Sequence, residues 1–131
     1  MTNTVRPFLM FQGEGSAALD FYLSVFPDAR VDAIERYGPD DAAPEGTIKL
    51  ARLSIGGQEV LCTDSVIKHP FSFTPAFSFF VDCESEEWLR HLADVLKQGG
   101  AELMAVDNYG FSRLFAWVND RFGVSWQLNW A

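Results

Sequence analysis

Residues 47–63 read TIKLARLSIGGQEVLCT and decide the fold of the first half of this chain. Apolar and polar residues alternate through residues 47–55, a pattern typical of a strand. The alternating positions are Ile48, Leu50 and Arg52. Gly56-Gly57 then separates this run from a second apolar run at 59–63, and two glycines so placed predict a tight hairpin.

The residues before this hairpin predict a strand, a helix and another strand. Residues 5–11 read as a strand, and Ser16 is the expected N-cap of the helix. Residues 30–37 form a short strand, followed by an acidic loop with glycine and proline at 38–46. The apolar positions with helical spacing are Leu19, Tyr22, Leu23 and Phe26. The first half therefore has the order βαβββ.

The same order begins again after a linker at residues 65–74. Residues 76–81 form a strand rich in phenylalanine, and Ser85 is the expected N-cap of a second helix, which Gly99-Gly100 ends. The apolar positions of that helix are Leu89, Leu92, Ala93 and Leu96. The three strands that follow are predicted at 102–107, 111–118 and 124–130.

Even offsets between the halves indicate duplication of one unit. Leu89 follows Leu19 by 70 residues, Phe77 follows Phe8 by 69, and Gly123 follows Gly57 by 66. The predicted fold class is α+β, with two βαβββ modules at 5–64 and 75–130 in a single domain of residues 1–131. Each module has one helix, which covers one face of its sheet. A ligand, the sister module or another chain must cover the other face.

Composition narrows the possible partners and location. The net charge of −8 argues against nucleic acid and anionic membranes, which attract basic patches. Aromatic residues reach 15%, enough to line a pocket as well as a core. Two cysteines make no disulfide framework, and neither a secretory signal nor an apolar run of membrane-spanning length is present. We therefore expect a cytoplasmic protein.

Two segments of the second half carry a family resemblance: Tyr109-Gly110-Phe111-Ser112-Arg113, and residues 120–128, DRFGVSWQL. With the paired βαβββ order, the sequence resembles the PhnB-like branch of the glyoxalase, bleomycin-resistance and extradiol-dioxygenase superfamily, also called the vicinal oxygen chelate superfamily. The resemblance runs from about Arg6 to Trp130, and some members carry the label of a 3-demethylubiquinone-9 3-methyltransferase domain. It implies a cup-shaped mixed sheet that binds a small molecule, but no particular reaction.

The resemblance also implies where a metal would lie. Catalytic members of the superfamily hold a divalent ion with His, Gln or Glu side chains from the first and last strands of each module. The corresponding positions here fall near Pro7, Leu61, Ala76 and Gln127. Only Gln127 has a side chain that coordinates metal, so we expect no metal and no other cofactor.

Residues 13–18 spell G-x-G-x-x-A between a strand and a helix, with Glu35 about 20 residues beyond, as in dinucleotide-binding loops. That mechanism requires a parallel sheet with helices on both faces. Two helices and many strands joined by short turns do not supply it, so an ordinary strand-to-helix turn is favoured. The same argument weakens a nucleotide-type methyl-donor fold.

Strand alternation predicts which residues line the cup. Glu59, Leu61 and Thr63 share one face. In the second module Ser78 and Phe80 are expected in the cup beside the polar residues of the last strand, while the apolar residues Val124, Trp126 and Leu128 pack under the helix. The predicted ligand-binding residues are Leu9, Phe11, Glu59, Leu61, Thr63, Ser78, Phe80, Arg113, Ser125 and Gln127.

Few side chains are candidates for catalysis. Glu59 is either an acid–base group or a solvated edge carboxylate, and His69 is either a general base on a mobile loop or a lid residue. Arg113 either reaches an anionic group of a ligand or forms a surface ion pair. Cys62 is expected in the core, and Cys83 has no predicted base beside it.

The sequence thus leaves binding and catalysis both open. The first reading is a non-catalytic small-molecule-binding module. The second is a lyase, isomerase or dioxygenase-type enzyme with an unusual site, and methyl transfer is a third. In each case we expect a homodimer, because every module leaves sheet edges and one face to cover.

Overall fold

The computed structural model describes residues 3–131, which divide into two compact units. The first unit ends at Pro70 and the second begins at Phe71. Each unit contains one helix and one mixed four-stranded sheet, so the predicted α+β fold with two βαβββ repeats is confirmed. The cup shape stays a prediction.

The first unit contains β1 (Phe8–Phe11), α1 (Gly15–Val25), β2 (Arg30–Arg36), β3 (Ile48–Ile55) and β4 (Gln58–Asp64). Its strand order is β1-β4-β3-β2, with β1 parallel to β4 and the other pairs antiparallel. Gly56 and Gly57 have φ angles of 56° and 83°. Positive φ at both central residues is what a two-residue type I′ turn requires, and Ile55 pairs with Gln58 across it, which confirms the predicted hairpin.

The second unit contains β5 (Ser78–Asp82), α2 (Glu86–Lys97), β6 (Ala101–Asp107), β7 (Leu114–Asn119) and β8 (Ser125–Trp130). Its order, β5-β8-β7-β6, repeats that of the first unit, with β5 parallel to β8. The strand predicted to begin at residue 111 begins three residues later. Gly110 has a φ of 99°, and residues 111–113 form a bend after it.

The two helices begin differently. Ser85 caps α2 as predicted, because its Oγ accepts a hydrogen bond of 3.1 Å from the backbone N–H of Trp88. The N-cap predicted at Ser16 is wrong: α1 begins at Gly15, and Glu14 in the cap position makes no side-chain cap. Ser16 Oγ instead accepts a hydrogen bond from Arg36.

Strand β3 contains an irregularity that changes which side chains are buried. Glu35 pairs with Leu50, whereas the next residue, Arg36, pairs with Ile48. Lys49 is therefore extra, and a bulge of this kind shifts the alternation. Ile48 is fully buried while Leu50 is exposed, so the prediction that both share a face is wrong.

The core of each unit lies between its helix and its sheet. In the second unit α2 packs on β7 and β8, and the predicted apolar set of Val124, Trp126 and Leu128 is buried there. In the first unit the equivalent face of β4 carries the buried residues Val60 and Cys62. None of the helices within residues 3–131 is both long enough and apolar enough to span a membrane.

Candidate functional site

The face of each sheet opposite its helix is called its open face. Across the first unit the register partners Phe8, Leu61, Arg52 and Ala33 form a row on this face, one residue from each strand. Residues 33–35, together with Leu50 and Arg6, extend the row into a groove of about 390 Å³. This volume lies within the range of small-molecule sites.

Two arginines and one glutamate form a charged cluster at this groove. Arg6 Nη1 donates a hydrogen bond of 3.0 Å to Glu59 Oε1, and Arg52 Nε lies 3.5 Å from the same oxygen. All three side chains are between 33% and 47% exposed. Partly exposed ion pairs of this kind contribute little to folding stability. Their cations are accessible to a ligand.

The predicted residues of β4 lie where alternation puts them. Glu59, Leu61 and Thr63 are half-buried, and they alternate with the buried residues between them. The hydroxyl of Thr63 already donates a hydrogen bond of 2.7 Å to the Lys49 carbonyl. Glu59 therefore offers the more accessible polar group on this strand.

Leu9 and Phe11, predicted as ligand contacts, lie on the helix side of the sheet. They are 6% and 3% exposed, and Leu9 is the register partner of the fully buried Cys62. Phe8 and Met10 occupy the open-face positions of β1 instead. These two predicted contacts differ from the structure. Strand β1 has apolar residues on both faces, so its sequence does not show which residues face the helix.

The open face of the second unit carries a hydrogen-bonded polar cluster. Ser78 and Ser125 are register partners whose Oγ atoms lie 2.6 Å apart. Trp117 Nε1 donates to Ser125 Oγ at 2.8 Å, and Gln127 Nε2 donates to Ser78 Oγ at 3.4 Å. Phe80 pairs with Gln127, so the residues predicted to share this face do share it. Ser125, however, is 1% exposed, so the prediction that it contacts a ligand differs from the structure.

An aromatic cluster adjoins these polar residues. Phe115 is buried, and its ring is surrounded by those of Phe80, Tyr109 and Phe111 at centroid distances of 6.4, 6.3 and 4.9 Å. The three surrounding rings are exposed. Rings held by one another in this way present a preformed apolar surface.

Within residues 3–131 Arg113 lies outside the strands and forms no ion pair with an Asp or Glu side chain. Its guanidinium lies 3.9 Å from the ring centre of Trp130, and its Nε donates to the Ala131 carbonyl at 2.8 Å. This cation–π contact fixes the side chain, while its remaining N–H groups stay available to an anion.

His69 is held within its loop. Its Nε2 lies 3.1 Å from Ser65 Oγ, and its backbone N–H donates to Gln12 Oε1 at 2.8 Å. Ser65 Oγ donates its proton to the Ile67 carbonyl at 2.6 Å. Because the hydroxyl proton of Ser65 is donated to Ile67 and not to His69, the imidazole does not activate Ser65 as a nucleophile.

Neither cysteine is poised as a nucleophile. Burial, with a smaller contribution from Asp64, raises the pKa of the Cys62 thiol to about 12. Burial likewise raises the pKa of Cys83 to about 11. Both thiols are therefore protonated at neutral pH, and the expectation that Cys62 is a core residue is confirmed.

The glycine-rich turn before α1 binds a carboxylate of the chain itself. Asp64 is 1% exposed, and its Oδ1 accepts hydrogen bonds of 2.9 Å from the backbone N–H groups of Gly13 and Gly15. Its Oδ2 accepts a third bond, of 2.8 Å, from Ile48. The amides that a phosphate would need are occupied, so the strand-to-helix turn is confirmed as the better interpretation.

Comparison with known proteins now identifies the family. Residues 3–129 match the family model described as 3-demethylubiquinone-9 3-methyltransferase. The chain belongs to this PhnB-like family. The PhnB protein from Bacillus cereus shares 43% identity and a TM-score of 0.94, with 98% of this chain and 100% of that chain covered. Protein YjdN of Escherichia coli (strain K12) is 24% identical over 95% of this chain and 93% of its own length.

A more distant structure supports the superfamily fold. A glyoxylase/bleomycin resistance protein/dioxygenase domain from Frankia sp. EAN1pec has a TM-score of 0.66 at 14% identity, covering 100% of this chain and 93% of that chain. At such identity the likeness shows the fold alone. The vicinal oxygen chelate fold implied by the resemblance is thereby confirmed.

The superfamily's metal does not fit the residues of this PhnB-like chain. Two of the predicted ligand positions, Pro7 and Ala76, lie just before β1 and β5 and not in these strands, and neither they nor Leu61 has a side-chain donor atom. The residues of β1 and β5 that pair with Leu61 and Gln127 are Phe8 and Phe80, which also lack a donor atom, and the amide of Gln127 is engaged with Ser78. Divalent metals of this class require three or more converging oxygen, nitrogen or sulfur ligands. Within residues 3–131 no group of three His, Cys, Asp or Glu side chains supplies an alternative.

Sequence reasoning missed two functional candidates, Arg6 and Arg52. They lie 46 positions apart in the chain and meet only because both approach Glu59. Alternation did mark Arg52 as a cation in an otherwise apolar pattern, which was the one signal available.

Proposed function

We propose that this protein binds a small, partly apolar molecule on the open faces of its sheets, and that it does so without a divalent metal. The observation that carries the proposal is the donor chemistry at the four metal-ligand positions, where only Gln127 has a coordinating side chain. A protein that has this fold but lacks those ligands still has the binding surface, but it has no metal ion to act as a Lewis acid.

Support for an apolar ligand comes from the second unit. The exposed rings of Phe80, Tyr109 and Phe111 offer a contact surface that burial in a ligand complex would stabilise. The side chains of Ser78 and Gln127 beside Phe80 provide a small number of polar groups to orient the ligand. This combination is typical of small-molecule sites.

A titration with the neutral fluorescent probe N-phenyl-1-naphthylamine tests the proposal. We expect saturable binding with the same dissociation constant in EDTA and in buffers containing Ni²⁺ or Mn²⁺. Phe80→Ser should weaken binding about tenfold, because a large apolar contact is lost. Phe77→Ser changes an equally exposed ring outside the strand and should have less than about a twofold effect.

Binding that appears only when metal is added would overturn the metal-free part of this proposal. Absence of saturable binding in all buffers would overturn the proposal as a whole.

A second candidate is catalysis by a non-standard site built on Glu59, His69 or Gln127. The accessible carboxylate of Glu59 favours it, since Glu59 contacts two arginines that line the groove and a carboxylate can serve as a general base. Against it, Glu59 Oε1 already contacts two guanidinium groups. Turnover of a glyoxalase-type or dioxygenase-type substrate that Glu59→Gln abolishes would establish this alternative.

Methyl transfer is the activity in the family model's description. The glycine-rich turn does not fit the nucleoside methyl donor this implies, because Asp64 occupies the amides of Gly13 and Gly15. Calorimetric titration with S-adenosylmethionine should therefore give no binding heat. A saturable isotherm would revive the methyltransferase reading.

The proposal also includes a homodimer in the cytoplasm that binds neither nucleic acid nor membranes. The net charge of −8 supports the last two points, because polyanions repel an acidic protein. The exposed aromatic rings and the edge strands support the first.

A further inference from the structure

We infer that the groove of the first unit selects a ligand that carries an anionic group on an apolar body, with Arg6 and Arg52 holding the anion. This inference rests on the proposed function and names the chemical class of its ligand. The expected ligand is a small organic carboxylate, sulfonate or phosphate, all of which present oxygens to a guanidinium in the same way.

Positive charge is concentrated at one place in an otherwise acidic chain. The protein has a net charge of −8, yet Arg6 and Arg52 converge on a single carboxylate oxygen. Glu59 neutralises only one of the two charges. At the groove edge, Glu35 is balanced by Lys49 at 3.6 Å. The cluster of these five side chains therefore retains one excess positive charge.

The two guanidinium groups offer many hydrogen-bond donors at the groove. Each guanidinium has about five N–H groups. Within residues 3–131 the two side chains use one hydrogen bond, of 3.0 Å from Arg6, and one ion-pair contact, of 3.5 Å from Arg52. Most of their donors are therefore left for solvent or for a ligand with several acceptor oxygens.

Apolar side chains form the floor of the groove beside these donors. Leu61 lies between Phe8 and Arg52 in the register row, and Leu50, the partner of Glu35, is exposed at the groove. Leucine side chains next to an arginine pair suit a molecule with one charged end. A bare inorganic ion would leave this surface uncovered.

Glu59 sets the strength of this site. Its carboxylate repels an incoming anion and competes with it for the same guanidinium groups. Glu59→Gln keeps the size of the side chain and removes the charge. Because the ion pair is partly exposed, the change should leave folding intact and strengthen anion binding.

The experiment compares two fluorescent probes that differ by one sulfonate. 8-Anilinonaphthalene-1-sulfonate is the anion, and N-phenyl-1-naphthylamine is its neutral counterpart. We expect Arg52→Met to weaken binding of the anion at least tenfold, which corresponds to the loss of one charge-assisted hydrogen bond, and to change binding of the neutral probe less than about twofold. Glu59→Gln should strengthen binding of the anion about threefold or more.

Lys97→Met is the control, because it removes one positive charge from the end of α2 in the second unit and leaves every side chain of the groove unchanged. It should leave both affinities within about twofold. If Arg52→Met leaves binding of the anion unchanged, or weakens both probes alike, the inference fails and small-molecule binding stands. If neither probe binds the wild-type protein, the inference and the proposed function fail together.

Discussion

Gly15 and Asp64 approach each other more closely than any other residue at position 15 would permit. The Gly15 N–H donates to Asp64 Oδ1 at 2.9 Å, and a Cβ on Gly15 would lie 2.8 Å from Oδ2. The contact joins the start of α1 to the end of β4, 49 residues away. It explains why this turn contains glycine and why it does not bind a phosphate.

Substitutions at this contact should destabilise the protein. Asp64→Asn removes the charge from three hydrogen bonds and forces an amide against a backbone donor, so we expect a loss of about 2–4 kcal/mol in the free energy of unfolding. Gly15→Ala should cost about 1–3 kcal/mol because the added methyl group has no room. Denaturant unfolding monitored by tryptophan fluorescence measures both.

Gly38→Ala is the control for these variants. Its Cβ would meet only the Asp41 carboxylate, at 3.6 Å, an ordinary contact. We expect a change within about 0.5 kcal/mol. An unfolding free energy of Gly15→Ala equal to that of Gly38→Ala would contradict the close approach.

Ser125 should also matter for stability. It is 1% exposed, and its Oγ accepts the indole N–H of Trp117 while contacting Ser78 Oγ. Ser125→Ala leaves the indole donor unpaired in a partly buried site, at a cost of about 1–3 kcal/mol. Ser24→Ala, in which an exposed hydroxyl is lost from α1, should cost less than about 0.5 kcal/mol. Equal midpoints of denaturant unfolding for Ser125→Ala and Ser24→Ala would argue against the polar cluster.

The cysteines give a prediction for chemical reactivity. With a pKa of about 11 for Cys83 and about 12 for Cys62, at most about 0.1% of either thiol is ionised at pH 8. Ellman's reagent should therefore modify neither thiol in the native protein within minutes, and both in guanidinium chloride. Rapid release of one equivalent of chromophore from the native protein would contradict the burial of these groups.

The same thiols predict a loss of stability at alkaline pH. The folded-state pKa values lie above the unfolded value of 9.0, so the folded protein binds more protons than the unfolded chain between these values. The stabilisation is complete below pH 9 and is lost as the pH rises through 11 and 12. Between pH 9 and 12 the melting temperature should fall less in Cys62→Ala than in the wild type. If the melting temperatures of the two proteins fall in parallel with pH, Cys62 does not have a raised pKa.

Assembly is tested by sedimentation equilibrium. A homodimer should have twice the 14.7 kDa mass of one chain. If the measured mass equals that of one chain at all micromolar protein concentrations, the proposed homodimer is wrong.

Sequence features that act on neighbouring residues predicted the fold well, whereas contacts between residues far apart in the chain could not be predicted from the sequence. Gly56-Gly57 and Ser85 act on their immediate neighbours, so the hairpin and the start of α2 followed from sequence. The start of α1 did not, because Asp64 replaces the capping side chain from 49 residues away.

The candidate site was predictable only in part for the same reason. The shared face of Ser78 and Gln127 follows from the alternation of two regular strands. The bulge at Lys49 interrupts the alternation of buried and exposed residues in β3, and no local sequence pattern predicts it. The convergence of Arg6 on Glu59 depends on the register between β1 and β4, which sequence does not reveal.

Metal-independent binding is tested by elemental analysis of the protein after incubation with Ni²⁺, Zn²⁺, Mn²⁺ and Fe²⁺, followed by dialysis. We expect the protein to retain well below one metal ion per chain, and we expect Gln127→Ala to leave this value unchanged. One tightly held ion per chain, lost in Gln127→Ala, would contradict metal-independent binding.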